Sequence, residues 1–415
     1  MNSIRRGVVG VQAAKSSFLL AVAGALAGIA APAWAQGPAL PLTGELQANQ
    51  FTNGDQGAPS VGMGDNGVHV VIWTSFGQDG DESGIVHRRF PADGTQPFNE
   101  SVVNQQTANE QFSPGLGMNA NGDWIATWDT TTAGQGLRGR ASSLNGTSIG
   151  NEFAVSVATD AAPQFPVAAR ADDDSSIAVW SIPGAVLFRR FDAFSAPITG
   201  DSDGTPQSSS GARPAVGLRP AGGAWLAYAA SDADEVGVFV QSFDAAGDAD
   251  GAVFAVAASP ANPQTQASLD TAADGGFVIA WRDLVLGVRV RCFGADGSPR
   301  SAEIAVDPIG PLKLDIGVAP DGQFVVVFHD ELIWAREFDR TCRPVGDAFQ
   351  VNETVEGFQR SPDAAAGRDR FVVVWHTQNL DDDGVAVARR LYRFRTIFAD
   401  GFEEENLVAW SSTAP

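Results

Sequence analysis

The chain has 415 residues, with 27 Lys and Arg against 49 Asp and Glu, and a formal net charge of −22. A surface this acidic repels nucleic acid and anionic lipid and favours cations or basic partners. Two cysteines do not make a disulfide scaffold in a chain of this size.

Arg5, Arg6 and Lys15 come first, then the apolar run Phe18 to Pro32, then Ala33-Trp34-Ala35 before Gln36. This basic, apolar, small-residue order is that of a secretory signal peptide. The run falls short of the ~20 residues needed to span a bilayer, and no later stretch is long and apolar enough to do so. The expectation is a signal peptide over 1–35, a short lead-in over 36–43, and an exported chain that is secreted or displayed at the cell surface. Losing residues 1–35 removes three positive charges and takes the net charge to −25. Lys15 and Lys313 are the only lysines.

From Gly44 onward the sequence repeats. The run Phe371-Val372-Val373-Val374-Trp375 has relatives ending at Trp73, Trp128, Trp180, Tyr228, Trp281 and Phe328, at steps of 55, 52, 48, 53, 47 and 47 residues. A period near 50 indicates a solenoid, a propeller or an array. Pro59, Pro114, Pro166 and Pro214 each stand 14 residues before the closing aromatic. The fifth and sixth copies hold Ala267 and Leu314 there, and Pro362 in the seventh is one residue closer. Between marker and aromatic lie Asn66-Gly67, Asn121-Gly122, Gly222-Gly223, Asp274-Gly275 and Asp321-Gly322, pairs that supply the positive φ of hairpin turns. So each repeat opens with a short strand rich in small residues, a tight turn and a second strand.

The second strand is apolar at nearly every position. A strand with one wet face would alternate; one stacked between two sheets would not. A third strand follows each loop, as in Gly84-Ile85-Val86-His87-Arg88-Arg89-Phe90, and a weaker fourth ends in segments such as Ala348-Phe349-Gln350-Val351-Asn352. Four strands in about 50 residues, repeated, describe a propeller. The expected fold is all-β: a seven-bladed β-propeller of four-stranded antiparallel blades over 44–395. Glu45-Leu46-Gln47-Ala48-Asn49 aligns with the fourth-strand segment ending at Asn352, so the N-terminal strand should close the last blade.

The region from Gly44 to Arg395 resembles exported bacterial repeat propellers whose unit reads roughly F-V-V-x-W, an acidic loop, G-I-x-x-R-F-D-x-x-G and E-F-x-V-N. The third repeat departs most, with a loop-like Ile198 to Gly211 in place of its fourth strand. The resemblance implies fold and export and no single activity. The C-terminal tail, 396–415, breaks the repeat. Its Asp400-Gly401-Phe402-Glu403 and Trp410 resemble a short tail at the ends of assorted exported bacterial proteins, which implies sorting, surface display or docking.

Candidate chemistry is sparse. Loops between second and third strands carry Asp79 and Asp81, Asp232 and Asp234, and Asp381 and Asp383, each set closed by Gly. Alternating oxygen side chains suit Ca²⁺, which takes 6–8 oxygen ligands at about 2.3–2.6 Å, so calcium is the cofactor these loops point to. Gly-x-Ser-x-Gly occurs around Ser148 and Ser202, but in turns with no helix following, which a nucleophile elbow requires. His329 and His376 each follow a closing aromatic and read as strand ends meeting water. Cys292 and Cys342 lie in neighbouring repeats; their different positions in the unit weigh against a bridge. No catalytic or cofactor-binding residue is singled out. The expectation is a monomeric binding or interaction module for a protein or glycan partner, with no nucleic-acid partner and no transmembrane segment. The alternative is a glycan-active hydrolase or lyase acting at the axial mouth.

Overall fold

The computed structural model describes residues 39–395 apart from 96, 135, 158–162, 204–212, 221, 232–235, 259–261, 309–312, 379 and 382. The expected signal peptide and the C-terminal tail lie outside the described residues. Among the described residues the strands form seven antiparallel sheets, and no helix is long and apolar enough to cross a membrane.

The first blade runs from the axis outward as Gln56–Met63, His69–Phe76, Ser83–Phe90 and Ser101–Val102. The inner strands of the next blades are Gln111–Met118, Gln164–Arg170, Ala215–Leu218, Gln264–Thr271, Lys313–Val318 and Gln359–Ala366. They touch in an unbroken ring, the last against the first. Crowding at the axis explains their small residues: a Cβ at Gly117 would lie 2.7 Å from the Ala168 carbonyl oxygen of the next blade.

The closing aromatics are all buried, from Trp73 to Trp375. The second strands bury both faces because each packs against two neighbours. Val71 and Trp73 meet Val372 and Val374 of the seventh blade, while Val70 and Ile72 meet Trp124 and Trp128 of the second. Pro362 stands one residue closer to its aromatic because the hairpin loop is shorter there. Ala366 pairs with Phe371, whereas in the first blade Met63 pairs with His69.

Two recurrent sequence features prove to be fastenings, one between blades and one within them. The residue two places before the end of the third-strand motif is Arg88, Arg140, Arg291, Arg336 and Arg390 in five blades. Each donates from Nη1 to a carbonyl on the outer strand of the preceding blade: Ala48, Val103, Val256, Val306 and Val351, at 2.7–3.0 Å. The Asn after three of those carbonyls accepts a third-strand N–H: Asn49 from Val387, Asn104 from Ile85 and Asn352 from Ile333, at 2.8–2.9 Å. These buried polar groups are satisfied across and within blades, as interior polar groups must be.

Closure follows the expected scheme. Leu46–Gln47 pairs with Ala388 and Arg389 on the seventh blade. Leu40–Pro41, in the lead-in, pairs further along the same strand. Three departures from expectation have physical reasons. The third blade does have a fourth strand, since Ser202–Asp203 pairs with Phe188 and Leu187 inside the stretch that reads as a loop. Two residues are too few to show a strand pattern. Cys292 and Cys342 are bonded, with Cα atoms 6.3 Å apart; the turn that carries Cys342 in the sixth blade leans back over the third strand of the fifth. His329 is buried rather than wet, at 5% exposure.

Candidate functional site

The inner strands enclose an axial channel of about 1150 Å³. Its lining can be read by register. The residue paired with the position before each closing aromatic is, in blade order, Ser60, Gly115, Val167, Ala215, Ser268, Asp315 and Asp363. The wall is therefore lopsided. Blades two to four present Gly115, Val167 and Ala215, whereas blades five, six, seven and one present two carboxyls flanked by the hydroxyls of Ser268 and Ser60.

Those carboxyls hold the ring together. Asp363 Oδ1 accepts the N–H of Val61, 3.0 Å, on the first blade, and Asp315 Oδ2 accepts that of Ala364, 2.9 Å, on the seventh. Asp270 Oδ2 accepts that of Val318, 2.8 Å, on the sixth. Ser268 Oγ donates to Asp315 Oδ1 at 2.6 Å. Burial, reinforced by Asp315, pushes Asp363 up to about 8, and burial pushes Asp270 up to about 7. Asp315 is raised by burial as well, with Ser268 opposing.

Two residues nearer the strand start lies the mouth: Ala58, Ser113, Phe165, Arg213, Lys313 and Ser361 line it, and Gln266 holds the equivalent position in the fifth blade. In five blades this residue has φ between 50° and 55° and sits in a bulge, followed by Pro or Ala. The markers Pro59, Pro114, Pro166 and Pro362 thus belong to the bulge at the channel mouth, where a residue has no ladder partner and the missing N–H does no harm, whereas Pro214 stands just before its strand. The sixth blade lacks the proline and pairs regularly through Lys313. Side chains alternate along a regular strand, so Lys313 and Asp315 share the channel side.

Lys313 does not stand alone. Arg213, from the fourth blade, lies over Phe165 with Cζ 4.5 Å from the ring centroid, and Arg360, from the seventh, lies over Phe358 at 4.9 Å. Arg360 sits opposite His376, and Lys313 opposite His329. Burial depresses Lys313 most, and Arg213 adds to it while Asp363 and Asp315 oppose. Burial, then Lys313 and Arg360, hold His376 at about 4, and the same groups depress His329. Both imidazoles are neutral at pH 7. Arg213 faces Asp129, which burial pushes up to about 7.

The expected calcium loops lie around this face. Asp79 Oδ2 accepts from Asn104 Nδ2 at 2.8 Å, and Asp81 Oδ2 from the N–H of Asn109 at 3.0 Å. Asp381 Oδ2 accepts from Asn49 Nδ2 at 3.2 Å, and Asp383 Oδ2 from the N–H of Gly54 at 3.2 Å. Asp232 and Asp234 lie outside the described residues. Among the described residues no three His, Cys, Asp or Glu side chains are grouped to hold a metal ion. Ser148 and Ser202 both begin outer strands. Sequence reasoning passed over Arg213, Lys313 and Arg360; the rarity of lysine was the one signal pointing to them.

The fold and this mouth define a seven-bladed β-propeller with a one-sided polar channel. Among solved structures, a protein of unknown function from Dyadobacter fermentans DSM 18053 is similar at 15% identity with a TM-score of 0.53, covering 86% of this chain and 100% of that one. An ulvan lyase from a new family of polysaccharide lyases, bound to -[GlcA(1-4)Rha3S]-, is similar at 10% identity with a TM-score of 0.51, covering 82% and 95%. At these identities the likeness shows the fold alone. No protein-family model and no curated protein matches the chain.

Proposed function

We propose that the chain is an exported binding propeller that takes its ligand at the mouth of the axial channel. The observation that supports this is the mouth ring. Seven equivalent positions hold Ala58, Ser113, Phe165, Arg213, Gln266, Lys313 and Ser361, a set that brings cationic, aromatic and neutral polar side chains to one end of the channel. A fold shared by many activities declares its use at such a site. The basic, apolar and small-residue order of residues 1–35 supports export. A glycan and peptide array probed with the wild type and with Ser361→Trp, which blocks the mouth, tests the reading. Ligands should be captured by the first and lost by the second; ligands kept by both would place binding elsewhere.

A second reading, a glycan-active lyase or hydrolase, is favoured by Asp315 and Asp363. They are half-buried acids on adjacent blades, facing the channel beside Lys313. An acid held protonated at pH 7 is fitted to protonate a leaving group. Against it, both side chains already staple a neighbouring blade, as Asp270 does without any such partner cation. Incubation with acidic and neutral polysaccharides, followed by assay of new chain ends, decides between the readings.

A further inference from the structure

We propose that the mouth recognises an acidic glycan, its carboxylate or sulfate groups held by Arg213, Lys313 and Arg360. The inference rests on the reading above that the mouth is the ligand site.

In a chain of net charge −22, Arg213 and Lys313 line one side of the channel opening, and Arg360, from a third blade, stands at its edge, where it and Lys313 both act on His329 and His376. Among the described residues none of the three makes an ion pair, although Arg138, Arg170, Arg189, Arg219, Arg289, Arg300, Arg368, Arg370 and Arg390 all do. Arg213 and Arg360 are exposed, and Lys313 is half-buried on the channel side. The two guanidinium groups are propped on Phe165 and Phe358 rather than spent on a carboxylate. Stacking of this kind orients a guanidinium while leaving its edge free to bind an anion with two parallel hydrogen bonds.

The acids that face the cations do not cancel them. Asp129 faces Arg213, and Asp315 and Asp363 face Lys313. Burial holds the proton on Asp363 and on part of the Asp129 population at pH 7. Backbone N–H groups already occupy an oxygen of Asp315 and of Asp363. His329 and His376 are neutral there and add no charge. Asp330 also lies near His329, and the mouth still gathers three basic side chains on a negative protein. An anion arriving there would also restore the proton affinity of Lys313, which burial lowers.

Hydroxylated ligands are indicated by what lies between the cations. In ring order Gln266 stands between Arg213 and Lys313, and Ser361 follows beside Arg360; each offers neutral hydrogen-bonding groups. Charged groups spaced along a hydroxyl-rich chain match that alternation better than a peptide of like charges does.

The experiment is titration calorimetry of the full mature chain with trigalacturonate, maltotriose and triglutamate, at roughly 20 mM and about 500 mM salt. Trigalacturonate should bind, more weakly at high salt, and maltotriose and triglutamate should not. Lys313→Gln, Arg213→Gln and Arg360→Gln should each weaken binding about tenfold or more, as loss of a hydrogen bond to a charged group does. Lys313→Arg should keep it, which separates loss of charge from loss of fold. Equal binding of maltotriose, or Gln variants that bind like the wild type, would overturn the acidic preference while a Ser361→Trp effect kept the mouth as the site. Binding of triglutamate in place of trigalacturonate would overturn the glycan assignment. Binding of none of the three would overturn the inference outright, and the array result would then stand alone as the test of the mouth.

Discussion

Asp363 Oδ1 accepts the N–H of Val61 at 3.0 Å, across the boundary where the last blade meets the first. The bond joins residues 302 apart in sequence, beside the strand pairing of Leu46–Gln47 with the seventh blade. Ring closure is thus fastened twice, once at the channel and once at the rim.

Replacing Asp363 by Ala leaves the Val61 N–H without its acceptor, which costs about 1–3 kcal/mol. Urea denaturation should show the loss, and Asp363→Asn, whose amide oxygen still accepts, should recover part of it. Equal midpoints for all three proteins would show that the rim alone closes the ring.

Stability should depend on pH in a defined sense. Asp363 titrates at about 8 and Asp129, Asp270 and Glu337 at about 7, all raised first by burial. Unfolded, such groups titrate near 4. The folded state then holds protons the unfolded chain has lost, and these groups make stability fall as pH rises from about 4 to about 8. His69, His87 and His376, depressed to about 3, 4 and 4, act the other way up to about 6.5. Lys313, lowered by burial, acts in the opposite sense to the carboxyls, so the informative quantity is a difference. Between pH 6.5 and 8 the wild type should lose more stability than Asp363→Asn, measured by denaturant midpoints at each pH.

Trp128 is fully buried between the first and second blades. Trp128→Ala should cost roughly 3–5 kcal/mol. A melting temperature like that of the parent would remove the closing aromatics from the core.

The bond between Cys292 and Cys342 closes a loop of 50 residues across two blades. Breaking it should cost about 2–4 kcal/mol. Reductant should lower the melting temperature of the wild type and leave a Cys292→Ser, Cys342→Ser double variant unmoved; no response in the wild type would make the bridge dispensable.

Calcium binding by the acidic loops stays a proposal with a direct check. It predicts a melting temperature higher in millimolar calcium than in chelator, by about 2.7 kcal/mol of added stability at a hundredfold excess over Kd. Asp79→Asn with Asp81→Asn should shrink that gain. Identical melts would leave Asp79, Asp81, Asp381 and Asp383 as latches that accept N–H groups between and within blades.

By itself the sequence determined the architecture. A run such as Phe371 to Trp375, recurring seven times with no wet face, has one economical home, a strand stacked between neighbouring sheets, and short-range patterns of this kind are written in consecutive residues. The N-terminal closure was legible for the same reason, because Glu45 to Asn49 carries the fourth-strand pattern. The tertiary structure alone decided what the repeats do for one another. Arg390 gains its acceptor only when the preceding blade brings the Val351 carbonyl to it. Cys342 occupies a turn whose lean over Cys292 no spacing encodes. Arg213, Lys313 and Arg360 are far apart in the chain and belong to different blades, so only closure of the ring gathers their charge at one mouth. Contact between distant residues depends on how sheets twist and pack, and a linear pattern carries no record of it.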